Sequence, residues 1–220
     1  MRASVRITAI LAAAAAVLVA VTLPAGAAGT NLVKDGGFER PKVVGSQSIV
    51  GGPNVFFGGK CIPGTAHNCW GIGAGTIDIV RKTVWDPKAG KQSADLNSGS
   101  KSASIAQALF TSPGTTYRIT FWLAATPGAP DNVNLAVFWG EINQHGNTIS
   151  TDEKDFDFFP IGHTPTNMGW TKETFLETTP TLSQQPDFAE SRLYFKSTTN
   201  LGPTNEDFGP VIDAVSVKQI

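Results

Sequence analysis

Two stretches at opposite ends of the chain decide the fold: Asn31-Leu-Val-Lys-Asp-Gly-Gly-Phe-Glu39 and Gly209-Pro-Val-Ile-Asp-Ala-Val-Ser-Val217. Each stretch joins an apolar, strand-like run to a carboxylate. We expect the first and last strands to lie near each other, with the chain between them forming a single β-rich domain over residues 28–220.

The composition and residue pattern between these ends are typical of short strands and turns. The chain contains 23 Gly, 14 Pro and only 16% charged residues, a composition that favours turns over helices. The clearest strand alternates two sets of side chains, so that one face is apolar and predicted to be core. The apolar set is Tyr117, Ile119, Phe121 and Leu123, and the opposite set is Arg118, Thr120 and Trp122. About eight or nine such strands predict an all-β, two-sheet sandwich.

The first 27 residues have the pattern of a secretory signal peptide. Arg2 and Arg6 precede an apolar run over residues 7–23, and Ala25-Gly26-Ala27 offers a cleavage site. The alternative is a retained membrane anchor, for which the run is short against the usual 20 or so residues. No later apolar run is long, so we expect a secreted, extracellular protein with no membrane contact after cleavage.

Charge and cysteine usage narrow the possible partners. The chain has 17 basic and 18 acidic residues. It therefore lacks the excess of positive charge that nucleic-acid binding needs. Cys61 and Cys69 are the only cysteines, and in an oxidising exterior they are expected to form a disulfide, with free thiols as the alternative. A zinc site using His67 has no recognised ligand spacing.

Several motifs in register resemble the choice-of-anchor C group of secreted bacterial proteins and the related DUF642 family of plant cell-wall proteins. They are 31–39, 70–80, Gly90-Lys-Gln-Ser-Ala-Asp-Leu-Asn97, 112–121 and 205–215. The resemblance implies a galactose-binding-like jelly roll and association with wall polysaccharide or with secreted enzymes. The chain departs from the family at Asp213-Ala214-Val215, where Asp-Asp-Val is usual, and at Phe208, where plant members have Cys.

The same resemblance implies a structural calcium ion between the ends of the domain. Its ligands would be Glu39, Asp213 and carbonyl oxygens near Gly37, and hard oxygen donors suit Ca²⁺. The alternative is that both carboxylates only accept backbone N–H groups. A second acidic run at 152–157 fails the EF-hand spacing and is expected to be a solvated loop.

Sugar recognition needs flat aromatic faces beside a few polar groups. The polar faces of two strands offer Trp122 with Arg118, and Tyr194 with Arg192 and Lys196. If the two strands share a sheet, these side chains line its concave side; the alternative is that they cover the sandwich edge. Further aromatic residues are Trp85, a candidate at a predicted loop tip, and Trp70 and Trp139, both predicted core.

No catalytic motif is apparent. The three histidines lie in predicted loops without metal-ligand spacing, and no Gly-x-Ser-x-Gly motif occurs. A glycosidase needs only two carboxylates, however, so a small polysaccharide hydrolase or lyase stays open as an alternative. The leading hypothesis is a secreted, non-catalytic carbohydrate-binding module; a structural or adhesive protein that binds other secreted proteins is the other alternative.

Overall fold

A computed structural model describes residues 29–51, 55–61, 66–98, 101–200 and 207–220. The predicted signal peptide and the first two residues of the 205–215 motif lie outside these ranges. All regular structure within them is β-strand. The strands are β1 (Gln47–Gly51), β2 (Phe56–Phe57), β3 (Trp70–Ala74), β4 (Thr76–Arg81), β5 (Gln92–Asp95), β6 (Asn97–Ser98), β7 (Lys101–Ser102), β8 (Ser104–Leu109), β9 (Thr116–Ala125), β10 (Val133–Asn143), β11 (Thr148–Phe158), β12 (Thr171–Thr178), β13 (Phe188–Ser197) and β14 (Pro210–Gln219).

The strands form two six-stranded sheets and one small two-stranded sheet. Sheet A has the order β1-β4-β5-β14-β9-β12, and sheet B has the order β11-β10-β13-β8-β3-β2. All neighbouring strands within the two sheets are antiparallel. The prediction of an all-β jelly-roll sandwich is confirmed. More strands occur than the eight or nine expected, because several are too short to give a visible alternation.

The core lies between the inner faces of the two sheets. The four apolar residues predicted for β9 are all buried, with Ile119 and Phe121 fully inaccessible. The Phe121 ring from sheet A packs edge-on against Phe195 of sheet B, with ring centroids 5.2 Å apart. Burying such side chains contributes about 1.5–3 kcal/mol each, so this interface holds the two sheets together.

The two ends of the described chain lie side by side, as predicted. The amide of Leu32 donates to the carbonyl of Val217 at 2.9 Å, and the amide of Val215 donates to the carbonyl of Gly36 at 2.8 Å. The Asn31 side chain accepts from the Val217 amide and donates to the Val215 carbonyl. The N-terminal motif is thus an extended segment against β14, which itself lies inside sheet A between β5 and β9.

The acidic run at 152–157 is not a loop, so that prediction is wrong. These residues belong to β11, the edge strand of sheet B. An edge strand tolerates charges because they discourage pairing with another chain. The inner face of β11 also contributes contacts: Phe156 packs edge-on against Phe121 at 5.2 Å, and the Lys154 ammonium lies 2.9 Å from the Glu177 carboxylate of β12.

The described ranges hold no helix with the length and apolar character needed to cross a membrane.

Candidate functional site

One row of side chains crosses the outer face of sheet B. In the strand register Phe138 is opposite Tyr194, and Tyr194 is opposite Ala106. Ala106 is opposite Gly71, which is opposite Phe56 at the far edge. Neighbouring strands are about 4.8 Å apart, so the row spans roughly 19 Å. Over these five strands it has aromatic rings at both ends and the small residues Ala106 and Gly71 between them. On the sixth strand, β11, Glu153 is opposite Phe138, and the Ala66 side chain lies close to Gly71.

Two glycines on β3 allow the aromatic rings to lie against the sheet. A Cβ atom at Gly73 would be 3.2 Å from Cε2 of Tyr194, and one at Gly71 would be 3.1 Å from Cε1 of Phe56. Contacts this short are rare for real side chains, so any larger residue would displace the rings. Tyr194 is further fixed by Phe138, whose ring meets it edge-to-face with centroids 5.4 Å apart.

Cationic side chains flank the aromatic row on the same face. Arg192 lies between Gly140 and Ala108 in the register. Lys196, which is exposed, occupies the corresponding place on the other side of Tyr194. Within the described residues, neither cation forms an ion pair, and the Arg192 Nε has no hydrogen-bond acceptor. Cationic side chains therefore stand on both sides of the aromatic row, and neither forms an ion pair in the part of the chain that the structure describes.

The end of this face near Arg192 is built by His67, Glu190 and Phe110, of which the sequence singled out only His67, as a candidate zinc ligand. The His67 imidazole lies 2.5 Å from a Glu190 carboxylate oxygen and stacks on the exposed ring of Phe110, with centroids 4.4 Å apart. Cys61 and Cys69 are joined in the predicted disulfide, with Cα atoms 5.2 Å apart. The disulfide ties the segment before β3 to the edge of sheet B.

Arg118 and Trp122 lie on a different surface from Tyr194 and Arg192, so the expectation of one shared face is wrong. Strand β9 pairs with β12 and β14 in sheet A, whereas β13 pairs with β8 and β10 in sheet B. Their polar faces therefore point away from each other, on opposite sides of the sandwich. In addition, the Lys88 ammonium lies 3.5 Å from the centroid of the Trp122 ring and covers it.

Trp85 lies in the loop between β4 and β5, as predicted, but its expected role as an exposed ligand contact is wrong. Its side chain is only 7% exposed, and its Nε1 donates to the Ser93 hydroxyl at 2.9 Å. The residue packs against sheet A and cannot offer a face to a ligand. Trp70 and Trp139 are buried as predicted.

The structure brings Glu39, Asp213 and Gly37 together at the junction of the two terminal motifs. A Cβ atom on Gly37 would be 3.8 Å from Oδ1 of Asp213 and 3.9 Å from Cγ of Glu39. Both carboxylates accept backbone N–H groups from one loop: Asp213 from Ala89 at 2.9 Å, and Glu39 from Lys91 at 2.5 Å. The structure shows the interactions of the predicted alternative, in which both carboxylates accept backbone amides.

These carboxylates nevertheless suit a hard cation. Burial raises the pKa of Asp213 to about 7, and the negative charge of Glu39 raises it further. Hydrogen bonds from backbone amides lower the pKa and partly offset these effects. A cation between the two acids would relieve this repulsion, and carboxylate oxygens are ligands that Ca²⁺ prefers. Across the described part of the chain, no group of three or more His, Cys, Asp or Glu is arranged to hold a metal, so carbonyl oxygens would have to complete the site.

A second acidic pair lies beneath loops on the outer side of sheet A. Asp78 of β4 is directly opposite Asp95 of β5. Burial raises the pKa of Asp95 to about 8, opposed by hydrogen bonds from the Asn97 amide and the Thr126 hydroxyl. Burial also raises the pKa of Asp78. Because Asp95 is only 3% exposed, this pair is closed to a polymeric substrate, and we assign it a structural role.

These features define an all-β sandwich module whose outer face on sheet A is partly covered by loops and whose outer face on sheet B has partly exposed aromatic rings. The chain belongs to the DUF642 family, whose description is "Protein of unknown function (DUF642)" and whose pattern matches residues 31–218. No curated protein matches the chain.

Several solved structures are similar to this chain. A cyclase from Fischerella sp. TAU matches with a TM-score of 0.50 at 14% identity. The match covers 88% of this chain and 98% of the cyclase chain. The CBM22-1–CBM22-2 tandem domain of Paenibacillus barcinonensis Xyn10C has a TM-score of 0.49 at 13% identity, covering 69% of this chain and 46% of its own. TmCBM61, solved with beta-1,4-galactotriose, has a TM-score of 0.46 at 13% identity, covering 86% and 99%. At these identities the likeness concerns the fold alone.

Proposed function

We propose that this protein is a secreted, non-catalytic carbohydrate-binding module that recognises cell-wall or extracellular polysaccharide through the outer face of sheet B. The observation that carries the proposal is the row from Phe138 and Tyr194 to Phe56, with Gly71 and Gly73 beneath the rings. Pyranose rings have apolar faces that pack on flat aromatic side chains. A span of roughly 19 Å across the row would accommodate several sugar units of a polymer.

The polar groups beside the row supply the hydrogen bonds that such a ligand requires. Arg192 and Lys196 flank Tyr194 and form no ion pair within the described residues. The exposed Lys196 ammonium would donate to sugar hydroxyls. The Nε of Arg192 is buried, so Arg192 would contribute through its terminal guanidinium nitrogens. A binding face of this kind combines an apolar platform with a few placed polar groups. Arg118, Trp122 and Trp85 are not part of this proposed site.

Calcium forms a separate, structural part of the proposal. In this role Glu39 and Asp213, with a carbonyl near Gly37, would bind one Ca²⁺ ion that ties the N-terminal motif to β14 and to the loop at 86–92. The support is the proximity of the two carboxylates and the effect of Glu39 on the pKa of Asp213. Such an ion would stabilise the fold and would take no part in chemistry.

A retention assay on insoluble polysaccharides, together with a soluble glycan array, tests the binding role. We expect Tyr194→Ala to lower retention on the preferred glycan about tenfold, since it removes the central aromatic ring of the row. Trp122→Ala is the matched control, because it removes an aromatic residue from the other sheet, and it should leave retention unchanged. Folded wild-type protein that is retained on no glycan would contradict the proposal.

A further inference from the structure

A polar cavity of about 580 Å³ lies beyond the β2 edge of sheet B, next to the aromatic face. Its walls come from the N-terminal motif and from the segment that follows β2. The residues that matter for its charge are Lys34, Asp35, Glu39, Arg40 and Lys60. The volume suits one or two sugar units, within the usual range for small-ligand sites.

The backbone around this cavity is firmly held. The side chain of Gln107, which is fully buried, accepts from the Lys34 amide at 2.6 Å and donates to the Lys34 carbonyl at 3.0 Å. The Asp35 carboxylate accepts the amides of Glu39 and Arg40, at 2.9 and 3.1 Å. On the other wall, Lys60 precedes the disulfide-bonded Cys61. The cationic side chains therefore extend from fixed positions.

The acidic and basic side chains of the cavity differ in the partners that they have. Each of the two acids already accepts two backbone amides: Asp35 from within its own turn, and Glu39 from Lys91 and Gln92. Within the described ranges, none of the three cations forms an ion pair. Lys34, Arg40 and Lys60 are all exposed. Burial raises the pKa of Asp35 to about 6, whereas hydrogen bonds from backbone amides and the charge of Arg40 lower it. Lys34 and Lys60 have no ion pair among the described residues, and both carboxylates already accept backbone amides.

An apolar groove of about 520 Å³ adjoins the cavity and shares Arg40 and Lys60 with it. Its other lining residues include Pro41, Phe56 and Phe57. Phe56 is the ring that ends the aromatic row on sheet B. The cationic cavity is therefore continuous, through Phe56, with the face proposed to bind polysaccharide.

We infer that this cavity binds the carboxylate of an acidic sugar unit, with Arg40, Lys60 and Lys34 as its cationic partners and Phe56 beneath the neighbouring ring. An Arg guanidinium matches the two oxygens of a carboxylate, and the groove supplies the apolar surface that the rest of the sugar needs. The inference rests on the proposed function, because it assigns a uronic-acid-containing polysaccharide as the preferred class of glycan.

The test compares a tetrameric uronic-acid oligosaccharide with its fully methyl-esterified form, in which each sugar unit loses its negative charge and gains one methyl group. Affinities are measured by calorimetry or NMR titration at low and high salt. We expect the wild-type chain to bind the acid about fivefold or more tightly than the ester at low salt, with the difference shrinking at high salt. The double variant Arg40→Gln/Lys60→Gln should remove this preference, so that the acid and the ester bind with equal affinity.

Lys172→Gln/Lys218→Gln is the matched control, because it removes two exposed positive charges from sheet A. It should keep the preference for the acid. Equal affinity of the wild-type chain for acid and ester, or the same loss in both double variants, would overturn the inference and leave the proposed function standing. Binding of the acid through Arg40 and Lys60 that is insensitive to Tyr194→Ala, with no neutral glycan retained, would overturn the proposed function alone.

Discussion

The strands of both sheets alternate inward and outward side chains, but the outward side chains of the two sheets differ in how far they are exposed. On sheet A, the outward residues near the β5–β14–β9 end are covered: Asp95 and Asp213 are buried, and Lys88 lies over Trp122, whereas Arg118 and Lys172 stay exposed. On sheet B the outward positions hold small residues between partly exposed aromatic rings, and Arg192 and Lys196 have no charged partner within the described residues. An outward-pointing side chain in a strand is therefore not always accessible to a ligand, because loops can cover it.

The largest effect that tests this contrast is the pH dependence caused by Asp95 on the covered side. Its folded pKa of about 8 lies above the unfolded value of 3.8. Between these values the unfolded chain releases the proton first, so stability falls as pH rises from about 4 to 8. At pH 9, Asp95→Asn should be more stable than wild type by an amount on the order of 3 kcal/mol.

Urea unfolding at pH 5 and pH 9 measures this effect. The variant should lose the part of the pH slope that Asp95 contributes, while Asp155→Asn, at an exposed position on β11, serves as the control and should keep the slope. If Asp95→Asn were destabilising at both pH values, the carboxyl would not be held protonated in the fold.

Metal dependence gives the next largest effect, also on the covered side. If Ca²⁺ binds at Glu39 and Asp213, an ion present at a hundred times its Kd stabilises by about 2.7 kcal/mol. That corresponds to a rise in Tm of roughly 5–11 °C for a chain of this size. Calorimetry with calcium and with chelator measures it. Asp213→Asn should lose the response, and an identical Tm in both conditions for the wild type would contradict the metal site.

On the open side, Gly73→Ala should weaken glycan binding by displacing the Tyr194 ring. The added Cβ would meet that ring at 3.2 Å and Ser104 Oγ at 2.8 Å, and we expect a loss of roughly 1 kcal/mol of stability and a fall of about fivefold in affinity. Gly140→Ala is a matched control on the same face, because its Cβ would have no neighbour closer than 3.8 Å. Equal effects of the two variants would show that the position of the Tyr194 ring is irrelevant.

The smallest effect concerns the covered Trp122. Lys88→Gln removes the ammonium that lies 3.5 Å from the ring centroid, and it should lower stability by about 0.5–1 kcal/mol. Glycan retention should not change. Thermal unfolding and the polysaccharide assay are measured side by side, and a gain in retention would mean that an uncovered Trp122 is itself a binding surface.

The sequence predicted the fold well because most strands show their alternation locally. The inner residues of β9 and the meeting of the terminal motifs are both confirmed. Strand β11 was missed because its outward positions are acidic and its inward face includes Lys154 as well as Phe156, so no apolar periodicity marks it. An edge strand needs less apolar surface, and local pattern alone is therefore a weak guide there.

The site was harder to predict because it depends on which strands are neighbours. Local alternation places Trp122 and Tyr194 on polar faces, but only long-range pairing assigns them to different sheets. Phe56 and Phe138 join Tyr194 through a register across five strands, which no short stretch of sequence encodes. The burial of Trp85 similarly depends on Ser93 and on loops that fold over sheet A.

The central place of β14 in sheet A has a consequence for the order of folding during synthesis. All six strands of sheet B have emerged once residue 197 is made, whereas sheet A stays divided between β5 and β9 until residues 210–219 follow. A nascent chain therefore carries an incomplete sandwich with exposed apolar surface until residues 210–219 are translated. Ribosome stalling or truncation before residue 210 should leave a species that chaperones bind and proteases cut.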